Sequence, residues 1–232
     1  MQLIVLSGGA AQGLVTKLSH QFRLDSGCTI AGTFGAVGAM RERLIAGAPA
    51  DLLILTSALI AELTRSGHVR SGSAVDIGLV YTGLAVRAGE AMPPVGDAAA
   101  VRSALLAADA IHFPDPKRAT AGIHFAKVLD ALDIALPLAT RLRPSPNGAA
   151  AMEALAISGP RAIGCTQVTE ILNAPGVTLA GVLPKPFELA SVYTAAVASR
   201  SRLPEPAACL AALIASDGVR PMREAAGFAP AA

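Results

Sequence analysis

The chain opens on Leu3-Ile4-Val5-Leu6, an unbroken apolar run of the kind that makes a strand buried on both faces. Leu14, Val15, Leu18 and Phe22 then recur at helical spacing, and Asp25-Ser26-Gly27 reads as the stop. Cys28 to Gly32 predicts a second strand, Met40 to Ala46 a second helix, Asp51 to Leu55 a third strand and Ala58 to Ser66 a third helix. This alternation predicts a parallel sheet with right-handed crossovers. After it the rhythm changes. Val75 to Val86 reads as a long extended segment interrupted at Tyr81-Thr82-Gly83. Helices are predicted over 98–108, 121–132, 149–158 and 169–173, and strands over 110–113, 161–166, 177–183 and 192–198. Leu136 to Pro146 reads as proline-rich extended chain. The tail predicts two closing helices, over 205–216 and 220–226.

Two glycine-rich turns carry the first hint of chemistry. Ser7-Gly8-Gly9-Ala10 and Thr33-Phe34-Gly35-Ala36-Val37-Gly38 each follow an apolar run and precede a helix. A helix start has unpaired N–H donors and a partial positive charge, so it attracts an anion without any lysine or arginine. Ser7 fits a helix cap as well as an anion donor. Thr33 fits either a ligand turn or a tight turn in which Gly35 and Gly38 take positive φ.

Composition narrows the function classes. Of 232 residues, 53% are hydrophobic, 16% charged and 3% aromatic, and the net charge is +2. There is no basic stripe and no tryptophan, which argues against a nucleic-acid partner. No apolar run is long enough for a membrane span. Cys28, Cys165 and Cys209 are far apart and odd in number, and His20, His68, His112 and His124 form no ligand pattern, so neither a disulfide framework nor a metal is expected. No Walker motif, nucleophile elbow or dinucleotide fingerprint is present, and no cofactor is expected. Met1-Gln2 leads straight into the first strand without a basic n-region. The chain therefore reads as cytoplasmic, or as periplasmic with a leader trimmed away.

Other candidates have two readings each. His124 sits in the first turn of a predicted helix, as a satisfied surface histidine or, if it faces a ligand, as a general acid or base. Glu170 opens a short helix, as a cap or as a second catalytic group. Lys117 and Arg118 are solvated loop cations or carboxylate clamps. Tyr81 and Tyr193 read as packing residues, Cys165 as a small buried hydrophobe and Asp51 as a local pairing group.

The ordered set Leu6-Ser7-Gly8-Gly9-Ala10, Thr33-Phe34-Gly35, Pro49 to Leu55, Asp115-Pro116 leading to Thr120-Ala121-Gly122-Ile123, and Leu210 to Gly227 resembles the molybdate-binding family of type II periplasmic solute-binding proteins over nearly the whole chain. The resemblance implies an α/β, two-lobed fold with a mainly parallel sheet and flanking helices in each lobe and two hinge strands. One lobe would comprise 1–80 plus 196–232 and the other 81–195. A small anion would sit in an interlobe cleft, held by Ser7, Thr33, Ala121, Ala149 and the position after Cys165-Thr166. Gly8, Phe34, Gly35, Thr120 and Thr166 complete the implied ligand set. An ABC permease is the implied partner. The family commonly has a tyrosine where this chain has Gln167, and often a run of serines where it has Thr33-Phe34-Gly35. These departures point from molybdate toward a larger or flatter anion such as a carboxylate. Some relatives of the fold resemble an isomerase acting on aconitate, and an allylic proton shift needs a group to remove a proton and one to return it. His124 and Glu170 are the candidates in that case. A ligand-sensing protein with a protein partner and no turnover is the third reading.

Overall fold

The computed structural model describes residues 1–230. In chain order the elements are β1 (Gln2–Gly8), α1 (Gln12–Ser26), β2 (Thr29–Gly35), α2 (Val37–Ile45), β3 (Leu52–Thr56), α3 (Ser57–Arg65), β4 (Val75–Arg87), α4 (Ala98–Ala107), β5 (Ala110–Pro114), α5 (Thr120–Ala131), α6 (Ala135–Leu138), β6 (Leu142–Ser145), α7 (Gly148–Ala156), β7 (Ala162–Gln167), α8 (Val168–Asn173), β8 (Val177–Val182), β9 (Ala190–Val197), α9 (Pro204–Ala215) and α10 (Arg220–Ala225). The fold is mixed α/β. The chain divides into two compact units: Met1–Val80 with Ser191 onward, and Tyr81–Ala190. The chain passes from one unit to the other within β4 and returns at the start of β9. Residues 191–195, assigned from sequence to the middle lobe, group with the first unit, because β9 is paired with β3 from Tyr193 to Val197.

In the first unit the strand order is β2-β1-β3-β9, with β1 parallel to both β2 and β3, and β9 antiparallel to β3. Leu52 to Leu55 are fully buried, as a strand covered by helices on both faces must be. Helix α1 buries Leu14, Val15, Leu18 and Phe22 on one stripe, the face read from the sequence. Strand β2 runs further than the sequence indicated. It stays in register with β1 from Thr29 to Gly35, so Thr33, Phe34 and Gly35 are strand residues, not a turn. Main-chain pairing along β1 overrides the weak strand preference of Gly32 and Gly35. Neither Gly35 nor Gly38 takes a positive φ.

The second unit has β7 between β4 and β5, with β6 beyond β5 and β8 also paired to β4. Strands β5, β6 and β7 are mutually parallel, and β4 runs antiparallel to β7. The core gathers Leu84, Val101, Leu105, Ile111, Phe125, Leu129 and Cys165. Strand β4 is continuous through Tyr81-Thr82-Gly83, because Thr82 and Gly83 pair with Gln167 and Thr166. Residues 136–146 are not uniformly extended: a helical turn, α6, precedes β6. Pro137 falls inside that first turn, where no N–H is required of it.

Candidate functional site

Strands β1, β2 and β3 end at the same edge of their sheet, and each leads into a helix there. Chain reversal at the carboxyl ends of parallel strands is where open α/β sheets place ligands. Ser7 pairs with Phe34 and Gly8 with Gly35 across this edge. The helix starts are bare. Gly8 precedes a 3-10 turn leading to α1, Ala36 precedes α2 and Thr56 precedes α3, and none supplies a side-chain cap. No acidic residue occupies the first turn of α1, α2 or α3. At α2 and α3 the first N–H groups have no intrahelical acceptor and no capping side chain, while before α1 the Gly9–Ala11 turn opens the run and Gln12 N already donates to the Gly9 carbonyl.

Ser7 is fully buried, and its Oγ donates to the Gly8 carbonyl at 2.8 Å. It is the penultimate residue of β1 and no helix cap, which corrects the capping reading. Gly8 is obligatory: a Cβ there would lie 2.7 Å from Val37 Cγ1 and 2.8 Å from the Tyr193 ring. Tyr193 is a buried packing residue in edge contact with Phe228. Thr33 pairs with Leu6, one position before the Ser7–Phe34 pair. Side chains alternate along a strand, so Thr33 and Ser7 lie on opposite faces of the sheet. The Thr33 hydroxyl is thus turned to the other side of the sheet from Ser7. Sequence reading overlooked Ser57, the exposed first residue of α3. The signal was available: Leu55-Thr56-Ser57 repeats the apolar run followed by a hydroxyl at a helix start.

The second unit repeats the arrangement. β5, β6 and β7 end at one edge, leading to α5, α7 and α8. Thr120 is the first residue of α5 and Ala121 the second, behind an Ala119 that provides no side-chain cap. Asp115 Oδ1 accepts from the Lys117 and Arg118 backbone N–H groups, which fixes the approach to α5. His124 Nε2 donates to the Phe187 carbonyl at 2.7 Å. A carbonyl can only accept, so this nitrogen carries the proton and His124 braces the 185–187 turn instead of acting as a base through Nε2. At α7, Asn147 caps the Ala150 N–H, while Gly148 and Ala149 hold the first helical positions.

Around β7 and α8 the residues converge. Thr166, Gln167, Thr169 and Glu170 are all buried. Thr166 Oγ1 donates to Glu170 Oε2 at 2.5 Å, so this hydroxyl is committed to the carboxyl. Glu170 also accepts from the Gln167 backbone N–H. That is the reciprocal half of a capping box, with Gln167 as N-cap and Glu170 at the third helical position. Burial raises the Glu170 pKa above the usual carboxylate range, and the bonds from Thr166 and Gln167 only partly oppose it. Gly148 is forced by the same group: a Cβ would stand 1.9 Å from Glu170 Oε2 and 2.3 Å from Thr166 Oγ1. Thr169 Oγ1 is buried without a hydrogen-bond partner among the described residues. Cys165 lies beside this cluster, fully buried, with its thiol pKa pushed up by desolvation, and is not poised as a nucleophile.

Asp51 is a structural hub, more than the local pairing group read from the sequence. Its Oδ2 accepts from Ile4 N and its Oδ1 from Ser201 Oγ, Arg202 N and Leu203 N. Burial opposes its ionisation, but these bonds together hold its pKa below the ordinary value. All three cysteines are free thiols. No helix among the described residues is long and apolar enough to cross a membrane. No group of three or more histidine, cysteine or acidic residues among them could hold a metal ion.

Comparison with known proteins agrees with this architecture. A family profile described as bacterial extracellular solute-binding protein matches residues 3–229. A Pseudomonas aconitate isomerase is 26% identical over 237 aligned positions, covering 98% of this chain and 87% of that protein. Among solved structures, the periplasmic molybdate-binding protein of Azotobacter vinelandii superposes with a TM-score of 0.78 at 17% identity, covering 99% of this chain and 100% of that one. The sulfate-binding protein SubI of Mycobacterium tuberculosis gives a TM-score of 0.76 at 17% identity, covering 99% of this chain and 87% of that one. At these identities the two structures speak for the fold.

Proposed function

The chain belongs to the family of bacterial extracellular solute-binding proteins, and from that premise we propose that it binds a small oxyanion or carboxylate through uncharged donors. The observation that carries this reading is the row of uncapped helix starts after β1, β2 and β3, free of acidic side chains in their first turns. Taking an anion out of water is costly, and several fixed N–H dipoles in a partly dry setting offset that cost. They do so without a competing cation, so a shape-selective site results. Within the second unit, the starts of α5 and α7 offer uncharged donors of the same kind, with Thr120 and Ala121 opening α5 and Ala149 in the first turn of α7. Proteins of the same fold bind molybdate and sulfate. Here the similarity to an aconitate isomerase favours a carboxylate ligand. The receptor reading implies a location outside the cytoplasmic membrane and delivery to an ABC permease. Calorimetric titration with molybdate, sulfate, citrate and cis-aconitate tests it. Saturable one-to-one binding of any of these supports the reading, and heats indistinguishable from dilution for all four refute it.

One observation favours a second reading, turnover. Glu170 is a buried carboxyl with a raised pKa, held by Thr166 at the same strand edge. Such a group keeps its proton to a higher pH than an exposed carboxyl does, and an allylic proton shift needs a group that gives and takes a proton. The similarity to an aconitate isomerase supplies a candidate reaction. In that reaction a proton leaves one carbon and another is added at the far end of the allylic unit, with no net change in atoms. Following cis- and trans-aconitate by proton NMR separates the readings: a receptor leaves each isomer unchanged.

A further inference from the structure

The first unit has a concavity that the anion reading does not use. It has a volume of about 660 Å³ and is lined by Asp51, Ser66, His68, Ser199, Arg200 and Arg202, with loop residues around Gly47 completing it. It lies at the opposite edge of the sheet from Ser7 and Gly8. The loop before β3 and the segment after β9 flank it, and Leu52 pairs with Val197 there. The cavity size falls within the range of about 300–1,000 Å³ that holds metabolite-sized ligands.

Its walls are pinned. Ser199 N donates to the His68 carbonyl at 2.9 Å, and Ala198 N to the Asp51 carbonyl at 3.0 Å. His68 Nδ1 lies 3.1 Å from Ser66 Oγ. The Asp51 carboxylate looks like the natural counter-ion for the arginines, but it is spent on Ile4, Ser201, Arg202 and Leu203. Arg202 meets it through backbone N–H alone. Neither the Arg200 nor the Arg202 guanidinium makes a hydrogen bond or ion pair with another described residue. The concavity therefore combines two uncommitted guanidinium groups, two serines and an imidazole on a fixed backbone frame. A guanidinium's planar fork matches carboxylate and phosphate oxygens two at a time.

We propose that this concavity is a second anion site, taking a metabolite-sized organic anion whose carboxylate or phosphate groups are held by Arg200 and Arg202. The inference does not rest on the function proposed above, and the chemistry differs. This site uses full positive charges near water, so its affinity falls with added salt, whereas amide donors respond weakly.

The test is an amide proton–nitrogen NMR titration of the full chain with citrate as the carboxylate probe and fructose 1,6-bisphosphate as the phosphate probe. The expected result is a saturable shift of the Gly47, Gly67 and Ser199 amides with at least one probe, weakened at least tenfold in R200Q/R202Q. Both arginines are exposed, and an unchanged thermal midpoint confirms that the variant is folded. Response to one probe only identifies the group recognised. Unmoved amides with both probes overturn the proposal, as do equal shifts in the variant. A failure of the anion site near Ser7 would appear at Gly8 and Val37 instead, so the two sites are read separately.

Discussion

Thr166 Oγ1 lies 2.5 Å from Glu170 Oε2, and Gly148 leaves room for the pair by having no side chain. Gly148→Ala would drive a methyl group into both oxygens. The expected cost is about 1–3 kcal/mol of stability, the usual penalty of overpacking a filled interior. Denaturant unfolding measures it, and an unaltered midpoint would contradict the packing described.

Because the folded state raises the Glu170 pKa, it keeps a proton on this carboxyl at pH values where the unfolded chain has lost it. The contribution to stability is fully present below the model-compound value of 4.5 and declines as pH rises through the folded pKa. Glu170→Gln removes that slope while keeping the shape. Unfolding curves collected from pH 4 to 8 should converge at the acid end and separate at the alkaline end, with the variant less sensitive to rising pH. Parallel curves would mean the carboxyl is not buried.

His112 behaves in the opposite sense. Burial, reinforced by the charge of Arg143, depresses its pKa, and among the described residues neither ring nitrogen has a hydrogen-bond partner. The unfolded chain takes up a proton first as pH falls below 6.5, so stability drops between that value and the depressed folded one. His112→Leu should abolish this acid sensitivity and add about 1 kcal/mol by removing unpaired polar atoms from the interior. Thermal melts at pH 5 and 7.5 give the comparison.

Asp51 ties Ile4 to Ser201, Arg202 and Leu203, at separations of up to 152 positions. Asp51→Ala leaves those donors facing a void and should cost about 2–4 kcal/mol. Its depressed pKa implies stability that is present above 3.8 and lost as pH falls through the folded value. A shift of the acid-unfolding midpoint in the variant checks the assignment.

Ser57→Pro probes the amide-donor mechanism itself. Proline suits the first position of a helix, and the extended Thr56 backbone, with ψ of 147°, accommodates a following proline. The substitution deletes one N–H and one hydroxyl with little effect on the fold. If that edge binds an anion, affinity should fall roughly 10- to 100-fold, the scale of a lost hydrogen bond to a charged group. Calorimetry with the best-binding anion provides the readout.

The parts legible in the sequence were those with local causes. Leu3 to Leu6 and Asp51 to Leu55 announced buried strands, and the spacing of Leu14, Val15, Leu18 and Phe22 announced the inward stripe of α1. Thr33 was misplaced because Gly32 and Gly35 resemble a turn, while the pairing with β1 that holds them extended comes from residues 27 positions earlier. The ties of His124 to Phe187 and of Asp51 to Ser201 join segments far apart in the chain, and no spacing rule foretells them. Glu170 was half legible: its place near a helix start suggested a cap, but its burial depends on Gly148 from another helix.

The described residues before Tyr81 and after Ala190 belong to the first unit, and β9 is the strand that pairs with β3 there. On the ribosome, the segment from Tyr81 to Ala190 is therefore made in full while Leu52 to Thr56 still lack their outer neighbour. The second unit can assemble as soon as it emerges. The first must wait with an open edge on β3 until Ala190–Val197 has been synthesised, which makes that edge the place where chaperones or aggregation would act during biogenesis.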